Sequence, residues 1–313
     1  LVLTRRIAFL AASFCPQDRI LALTFTRKAA EEMARRAARM EWIDADRSMP
    51  LITTFHGFGR RVLLDVVNGR PNYRALGYTR PPRILSEGER LKLLAECSDA
   101  RERRALDVDL LGLDALLERR SVHPGKAGEL SEQRRALLER IHDRMSKRKL
   151  RRGLWAFADM LLGTLELFRA DSGIRDHYAA RFRAVLVDEF QDTNPLQIEL
   201  LRLLLNPTTS LFVVGDDDQA IYGFRGADMG PILDFGAMFP GARIMKLETN
   251  YRSSPAILRS ANRVFRGKPV GYRKTLRYGG TAASGPGKGP RPAIRRFTTP
   301  QGMLRWVVRR ARD

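Results

Sequence analysis

Short apolar runs recur along the chain, each bounded by polar or turn-forming residues: RILALTF (19–25), PLITTFH (50–56), AVLVDE (184–189), SLFVVGD (210–216) and RIMKLET (243–249). Their length, branching and near-continuous apolarity favour strands buried on both faces, which predicts a parallel sheet covered by helices. Helical periodicity falls between the runs. Residues 28–40 predict one helix with Ala29, Ala30, Met33 and Ala37 as its inner stripe. After AVLVDE, Asn194 is a good N-cap, Pro195 suits the first helical position, LQIELLRLLL supplies the body and Asn206-Pro207 stops it.

Residues 65–182 read differently: turn-rich connections lead into helical patterns near 87–118, 129–150 and 155–170 with no convincing strand. This predicts a helical insertion between strands of the sheet. Within it, residues 134–152 carry nine Lys/Arg against two acids, either a solvated helix face or a surface that meets phosphates. From Arg266 to Pro292 the chain is rich in glycine, proline and basic residues, a composition that builds no core and reads as a linker. AIRRF and PQGMLRWVVRRARD then look like the opening strand and helix of a further domain.

Charge changes the picture. Fifty-six Lys and Arg against 35 Asp and Glu leave a net +21, which points to a polyanionic partner such as nucleic acid. The excess is uneven, with +12 of it in residues 266–313. Cys15 and Cys97 stand in no paired or metal-ligand spacing and His56, His123, His142 and His177 are scattered, so a reducing, cytoplasmic setting without a zinc site is expected. No apolar run approaches the roughly 18 residues that span a bilayer, and no membrane role is expected. LVLTRRIAFLAA could form part of an Arg-bearing targeting helix, but this is the weaker reading, and a chain that opens on Leu1 suggests a fragment.

The chemistry concentrates at the ends of the apolar runs. VLVDEFQDTN sets Asp188 and Glu189 at the carboxyl end of a strand, where open α/β sheets bind ligands. One carboxylate there could hold Mg²⁺ while the next orients or deprotonates an attacking water; an acidic approach to the helix at Pro195 is the plainer alternative. VVGDDDQAIYGFRGA (213–227) adds Gln219, able to bond a phosphate oxygen, then aromatics and Arg225. LETNYRSSPAIL (247–258) offers an aromatic face and a guanidinium before a helix start. LTFTRKAAEEM and TTFHGFGRRVL end strands with hydroxyls and an aromatic, which suits stacking on unpaired bases.

Taken in order, TFTRKAAEEM, TFHGF, VDEFQDTN, VGDDDQAIYGFRGA and NYRS resemble the UvrD/Rep/PcrA group of superfamily 1 helicases, over about residues 1–262. The resemblance implies a RecA-like P-loop NTPase fold: α/β, with a parallel sheet and a helical insertion domain. It implies first-motor-domain segments at 1–64 and 183–249, the insertion at 65–182, the start of a second motor domain at 250–265, a linker at 266–292 and an incomplete second-domain segment at 293–313. It also implies ATP and Mg²⁺ as cofactors and single-stranded DNA, or its junction with duplex, as partner. By position, Asp188 and Glu189 would hold Mg²⁺ and activate water, and Gln219 would sense the γ-phosphate. Tyr251 would stack on adenine and Arg252 would act as arginine finger, so that Asp188, Glu189, Gln219 and Arg252 surround one triphosphate. Thr24, Phe25, Thr26, His56, Tyr222, Phe224 and Arg225 would contact the strand; Phe224 stands where most relatives have tryptophan and Ala220 where they have serine.

One departure is large: the family's glycine-rich loop ending Gly-Lys-Thr or Gly-Lys-Ser does not occur in the sequence, and SGPGKGP (284–290) lacks the hydroxyl. LVLTRRIAFL resembles the helix that follows that loop, as if the chain were cut just after the lysine. Three expectations follow. The leading one is a segment of an ATP-driven 3′–5′ DNA translocase and helicase. The others are a catalytically inactive single-strand-binding module and a helicase-derived interaction protein working through its basic tail.

Overall fold

The structure, a computed structural model, describes residues 2–13, 15–44, 48–122, 130–220, 230–267, 271–280, 293 and 295–311. The chain divides into two compact units, Leu1–Met238 and Phe239–Asp313.

The first unit begins with α1 (Val2–Ser13), β1 (Ile20–Thr24), α2 (Arg27–Ala37), β2 (Leu51–Thr54) and α3 (Phe55–Leu64). A small antiparallel pair, β3 (Val66–Val67) and β4 (Arg70–Pro71), precedes β5 (Arg83–Ile84). Then come α4 (Glu87–Cys97), α5 (Ala100–Ala105), α6 (Leu110–Val122), α7 (Glu132–Arg152) and β6 (Leu154–Trp155). The unit finishes with α8 (Asp159–Ala170), α9 (Ser172–Arg181), β7 (Ala184–Val187), α10 (Pro195–Leu204), β8 (Ser210–Val213), α11 (Gly230–Leu233) and α12 (Phe235–Met238).

Four strands form a fully parallel sheet in the order β2-β1-β7-β8. The two central strands are buried at every position, as continuous apolar runs require, whereas β2 and β8 at the edges are only half-buried. Alternate residues face opposite sides. Ile20, Ala22, Ala184 and Leu186 join Leu3, Ile7 and Leu10 of α1 and Met33 of α2 in one core cluster. Leu21, Leu23, Val185 and Val187 are equally buried. The helices α3, α8, α9 and α10 pack as a group whose rings Phe58, Phe168, Tyr178 and Phe182 meet edge-on or tilted.

Local signals act where expected. Ala30, Met33 and Ala37 of the expected stripe are buried on α2 while Ala29 is only half-buried, and Thr26, not foreseen as a cap, accepts from Ala29 N at 3.1 Å. At α10 the side chains of Asn194 and Gln197 each accept from the other's backbone N–H, a capping box ahead of Pro195.

The helices α4, α6 and α7 share a core of their own around Leu94, Leu113, Leu138 and Ile141. β5 and β6 pair in parallel where the chain enters and leaves this cluster. Just beyond, Lys149 Nζ of α7 lies 2.6 and 2.7 Å from the two carboxylate oxygens of Asp159 at the start of α8. Much of the positive charge on α7 is spent at home: Arg144 pairs with Glu102, Arg148 and Arg152 with Glu96, and Arg134 donates to Ala105 O. Arg135, Arg140, Lys147 and Arg151 remain exposed.

In the second unit, β9 (Thr249–Asn250) pairs in parallel with β10 (Arg277–Tyr278), and α13 (Pro255–Phe265) lies against that pair. Asn262 fixes the helix to the strand, accepting from Leu276 N and donating to Leu276 O, both at 2.9 Å. The apolar run at 243–249 forms a strand only from Thr249 onward. Ile244, Met245 and Leu247 are 49–70% exposed; among the described residues of their own unit, no backbone hydrogen bond pairs the run with a strand before Glu248. The helix expected near the end is α14 (Pro300–Arg310), capped by Thr299; the described residues of AIRRF form no strand.

Candidate functional site

Parallel pairing places the carboxyl ends of β1, β2, β7 and β8 along one edge of the sheet. At the end of β7, Asp188 N donates to Leu23 O of β1 at 2.9 Å, which holds the acidic pair level with the β1 turn. Asp188 is half-buried and Glu189 exposed. Burial, and then the charge of Glu189, push the Asp188 carboxyl above its ordinary range. Among the described residues no Lys, Arg or His forms an ion pair with either carboxylate. Two adjacent carboxylates of this kind fit a hard divalent cation such as Mg²⁺, which takes oxygen ligands and would reverse the upward push on Asp188.

Glu189 has φ +49° and ψ +48°, a left-handed conformation that costs a non-glycine residue about 1 kcal/mol. The turn is held all the same. Phe190 N donates to Val214 O at 3.0 Å, so the exits of β7 and β8 are tied by their backbones. Gln191, 1% exposed, donates from Nε2 to Glu189 Oε2 at 2.8 Å and accepts at Oε1 from Asp216 N at 2.9 Å. Gly215 admits this contact: a Cβ there would stand 2.9 Å from Gln191 Oε1 and 3.2 Å from Phe190 N. Asp192 is 6% exposed, and its Oδ1 is buried without a hydrogen-bond partner. Burial and the charge of Glu189 raise its carboxyl to about 6.

Gln219 ends a single 3-10 turn, Asp217–Gln219, after β8. Its Nε2 donates to Asp216 Oδ2 at 2.7 Å, while Asp216 Oδ1 accepts from Asp218 N at 3.1 Å. The carboxylates of Asp216, Asp217 and Asp218 have oxygens within 4.8 Å of one another. Asp216 is thus already engaged by the turn.

Of the expected strand contacts, Thr24 is 1% exposed and spends its hydroxyl on Thr26 O at 2.9 Å. That bond shapes the turn presenting half-buried Phe25 and exposed Thr26. At the end of β2, Thr54 caps α3 by accepting from Gly57 N at 3.0 Å, and His56 sits in the first turn of that helix. Its ring stacks on Phe157, centroids 4.0 Å apart and planes 25° from parallel. Burial lowers the imidazole to about 4, so the stack is neutral at pH 7. Tyr222, Phe224 and Arg225 lie outside the described residues.

Tyr251 and Arg252 belong to the second unit. Asn250 Oδ1 accepts from Arg252 N at 2.9 Å and Ser253 N at 2.7 Å, an Asx turn that leaves Arg252 exposed and Tyr251 77% exposed. A Cβ on Gly279 would stand 2.6 Å from Tyr251 Cε1, so only glycine leaves that ring its position against β10.

Gln191 and Phe157 are the site residues that sequence reasoning passed over. Gln191 stood in the motif, but nothing local announced that both ends of its amide would be used. Phe157 carried no signal, since its value lies in meeting His56 from a distant segment.

Residues 1–240 match the UvrD/REP helicase N-terminal domain. The chain is 35% identical over 283 residues to a probable DNA helicase II homolog of Rickettsia conorii, covering 88% of this chain and 42% of that protein. It is 36% identical over 270 residues to DNA helicase II of Escherichia coli K12, covering 83% and 36%. It is 34% identical over 274 residues to the ATP-dependent DNA helicase PcrA of Bacillus subtilis, covering 85% and 36%. The chain therefore spans about two-fifths of the length of these relatives. With a parallel sheet, an acidic pair at the end of β7 and the family's match over residues 1–240, the chain belongs to the UvrD/REP helicase N-terminal domain family.

Proposed function

We propose that this chain supplies the water-activating and strand-gripping part of an ATP-dependent, 3′–5′ single-stranded DNA translocase and helicase of the UvrD type. The observation that carries the reading is the carboxylate pair Asp188 and Glu189: set at the ligand-binding edge of the sheet, with no ion-pair partner among the described residues, and with Asp188 pushed upward by its surroundings. In this reading residues 1–64 and 183–249 belong to one motor domain, 65–182 to its insertion, 250–265 and 293–313 to a second, and 266–292 to the link between them. DNA helicase II and PcrA are DNA helicases by name, and the same substrate is proposed here.

Asp188 would hold Mg²⁺, whose chemistry is to neutralise phosphate charge. Glu189 takes the proton of the attacking water, and Gln219 bonds the terminal phosphate. Tyr251 offers its exposed ring to adenine and Arg252 its guanidinium to the phosphates. Phe25, Thr26 and the His56 ring meet the DNA strand, and Thr24 shapes the turn beneath them. Tyr222, Phe224 and Arg225 complete the grip by their place in the sequence.

The test exchanges this chain for the matching segment of Escherichia coli DNA helicase II. Single-strand-stimulated ATP hydrolysis and unwinding from a 3′ tail are expected, and Glu189→Gln lowers kcat by about 10² to 10³, the usual scale for loss of one preorganised catalytic group. A folded chimera without turnover, or turnover indifferent to Glu189→Gln, overturns the proposal.

A second reading is favoured by one observation, the lack of Gly-Lys-Thr or Gly-Lys-Ser in the 313 residues. By itself the chain then binds single-stranded DNA without hydrolysing ATP. Its affinity falls steeply with salt, as counterion release requires, and much of it survives deletion of residues 266–313. Loss of nearly all affinity on that deletion assigns binding to the basic tail instead.

A further inference from the structure

We propose that Gln191 is a positioning residue that couples the water-activating carboxylate to the phosphate-sensing turn, so that Glu189 and Gln219 move as one unit. The proposal deepens the functional reading above and rests on it for the roles of those two residues, but its geometry stands independently.

Glu189 and Gln219 leave different strands of the sheet, yet three hydrogen bonds join them through the Gln191 amide and Asp216. Gln191 Nε2 donates to Glu189 Oε2, Gln191 Oε1 accepts from Asp216 N, and Asp216 Oδ2 accepts from Gln219 Nε2, at 2.8, 2.9 and 2.7 Å. The amide has one orientation that satisfies both neighbours, because a carboxylate can only accept and a backbone N–H can only donate. Glutamate at this position would set oxygen against oxygen at Glu189. Methionine fills a similar volume and bonds neither partner. With the side chain 1% exposed, water does not readily replace either bond.

Three further features show that the link is built in. Phe190 N to Val214 O brings the two strand exits together beside it. Gly215 leaves the space that the Gln191 carbonyl occupies. Glu189 is kept in a left-handed conformation, which persists only where surrounding contacts over-determine it. A shift of Gln219 toward or away from a phosphate would therefore be felt at Glu189 through Asp216 and Gln191, with no change in the strands themselves.

The test has two arms. In the first, side-chain amide NMR signals are followed in the full chain without nucleotide. We expect the Gln191 NH₂ protons to exchange at least 10-fold more slowly than those of an exposed glutamine. Glu189→Ala should shift the Gln219 amide signals, and Gln219→Ala those of Gln191; in Gln191→Met the effect of Glu189→Ala on Gln219 should vanish while the backbone spectrum stays folded. Fast exchange at Gln191, or cross-talk that survives Gln191→Met, overturns the coupling whatever the protein's function.

In the second arm, ATP turnover is measured in the helicase II chimera. Gln191→Met and Gln191→Glu should each lower kcat about 10- to 100-fold, leave KM for ATP within about 3-fold, and reduce stimulation by single-stranded DNA. If both variants keep kcat and DNA stimulation, Gln191 positions nothing. If Glu189→Gln retains full turnover while the first arm holds, the functional reading fails and the link stands as structure alone.

Discussion

The ring of His56 stacks within 25° of parallel on that of Phe157, 4.0 Å between centroids, although the two lie 101 positions apart in sequence. Phe157 is 51% exposed, so the pair is within reach of a ligand from solvent. Base–aromatic stacking contributes about 1–3 kcal/mol per base. Phe157→Ala should weaken single-strand binding about 5- to 100-fold, read by fluorescence anisotropy, with little change in melting temperature. Because burial holds His56 to about 4, the platform carries no charge near neutrality, and its contribution should not change between pH 8 and 6. An affinity that climbs steeply as the pH falls through 6.5 would show that the imidazole is protonated on DNA instead.

Asp192 is expected to cost the fold stability at neutral pH. Its carboxyl is raised to about 6, above its ordinary 3.8, so the native state favours the neutral acid while the unfolded state ionises first. Stability from this group is complete below about pH 4 and declines as the pH rises toward 6. Asp192→Asn, which cannot ionise, should raise the melting temperature by about 2 °C at pH 7.5. Relative to the parent chain, that gain should disappear at pH 4; a gain of equal size at both pH values rules out ionisation as its cause.

Gly215→Ala tests the close approach of the two strand exits. The added methyl would stand 2.8 Å from Ile232 Cδ1, 2.9 Å from Gln191 Oε1 and 3.2 Å from Phe190 N. The isoleucine tip can swing aside, but the other two atoms belong to the Gln191 link and the backbone bond beside it. Overpacking of this kind costs about 1–3 kcal/mol. We expect a lower melting point and, in the chimera, a kcat defect resembling that of Gln191→Met.

Lys149 and Asp159 join the helical cluster to α8. The lysine side chain is 9% exposed and the aspartate 19%, and Asp159 Oδ2 also accepts from Ala156 N at 2.6 Å. Removing one partner of a buried pair leaves a charge without compensation, at a cost of about 3–5 kcal/mol. Lys149→Met should therefore destabilise the chain strongly in thermal unfolding. Arg151→Met, at an exposed position two residues further along α7, should leave the melting temperature nearly unchanged.

Much of this protein was legible in its residues because the signals are local. Strand ends, caps and helix starts depend on a few neighbours: Asn194 caps α10 and Pro195 takes its first position as their spacing requires. The burial of β1 and β7 followed from unbroken apolar runs. The acidic pair could be placed at a strand's carboxyl end for the same reason.

What the tertiary structure alone decided are the relationships between distant segments. The run at 243–248 has strand-like residues but pairs with no strand among the described residues of its unit, and β-structure draws its stability from neighbours that a single run does not contain. Much of the basic face of α7 is neutralised by carboxylates on α4 and α5, which charge counting along one helix could not reveal. The stack of His56 on Phe157 and the Gln191 amide between Glu189 and Asp216 belong to the same class. Composition and order determined which groups the chain carries and where each element ends. Which of them touch was determined by folding, because a hydrogen bond or ring contact exists only once segments remote in sequence are brought within a few ångströms.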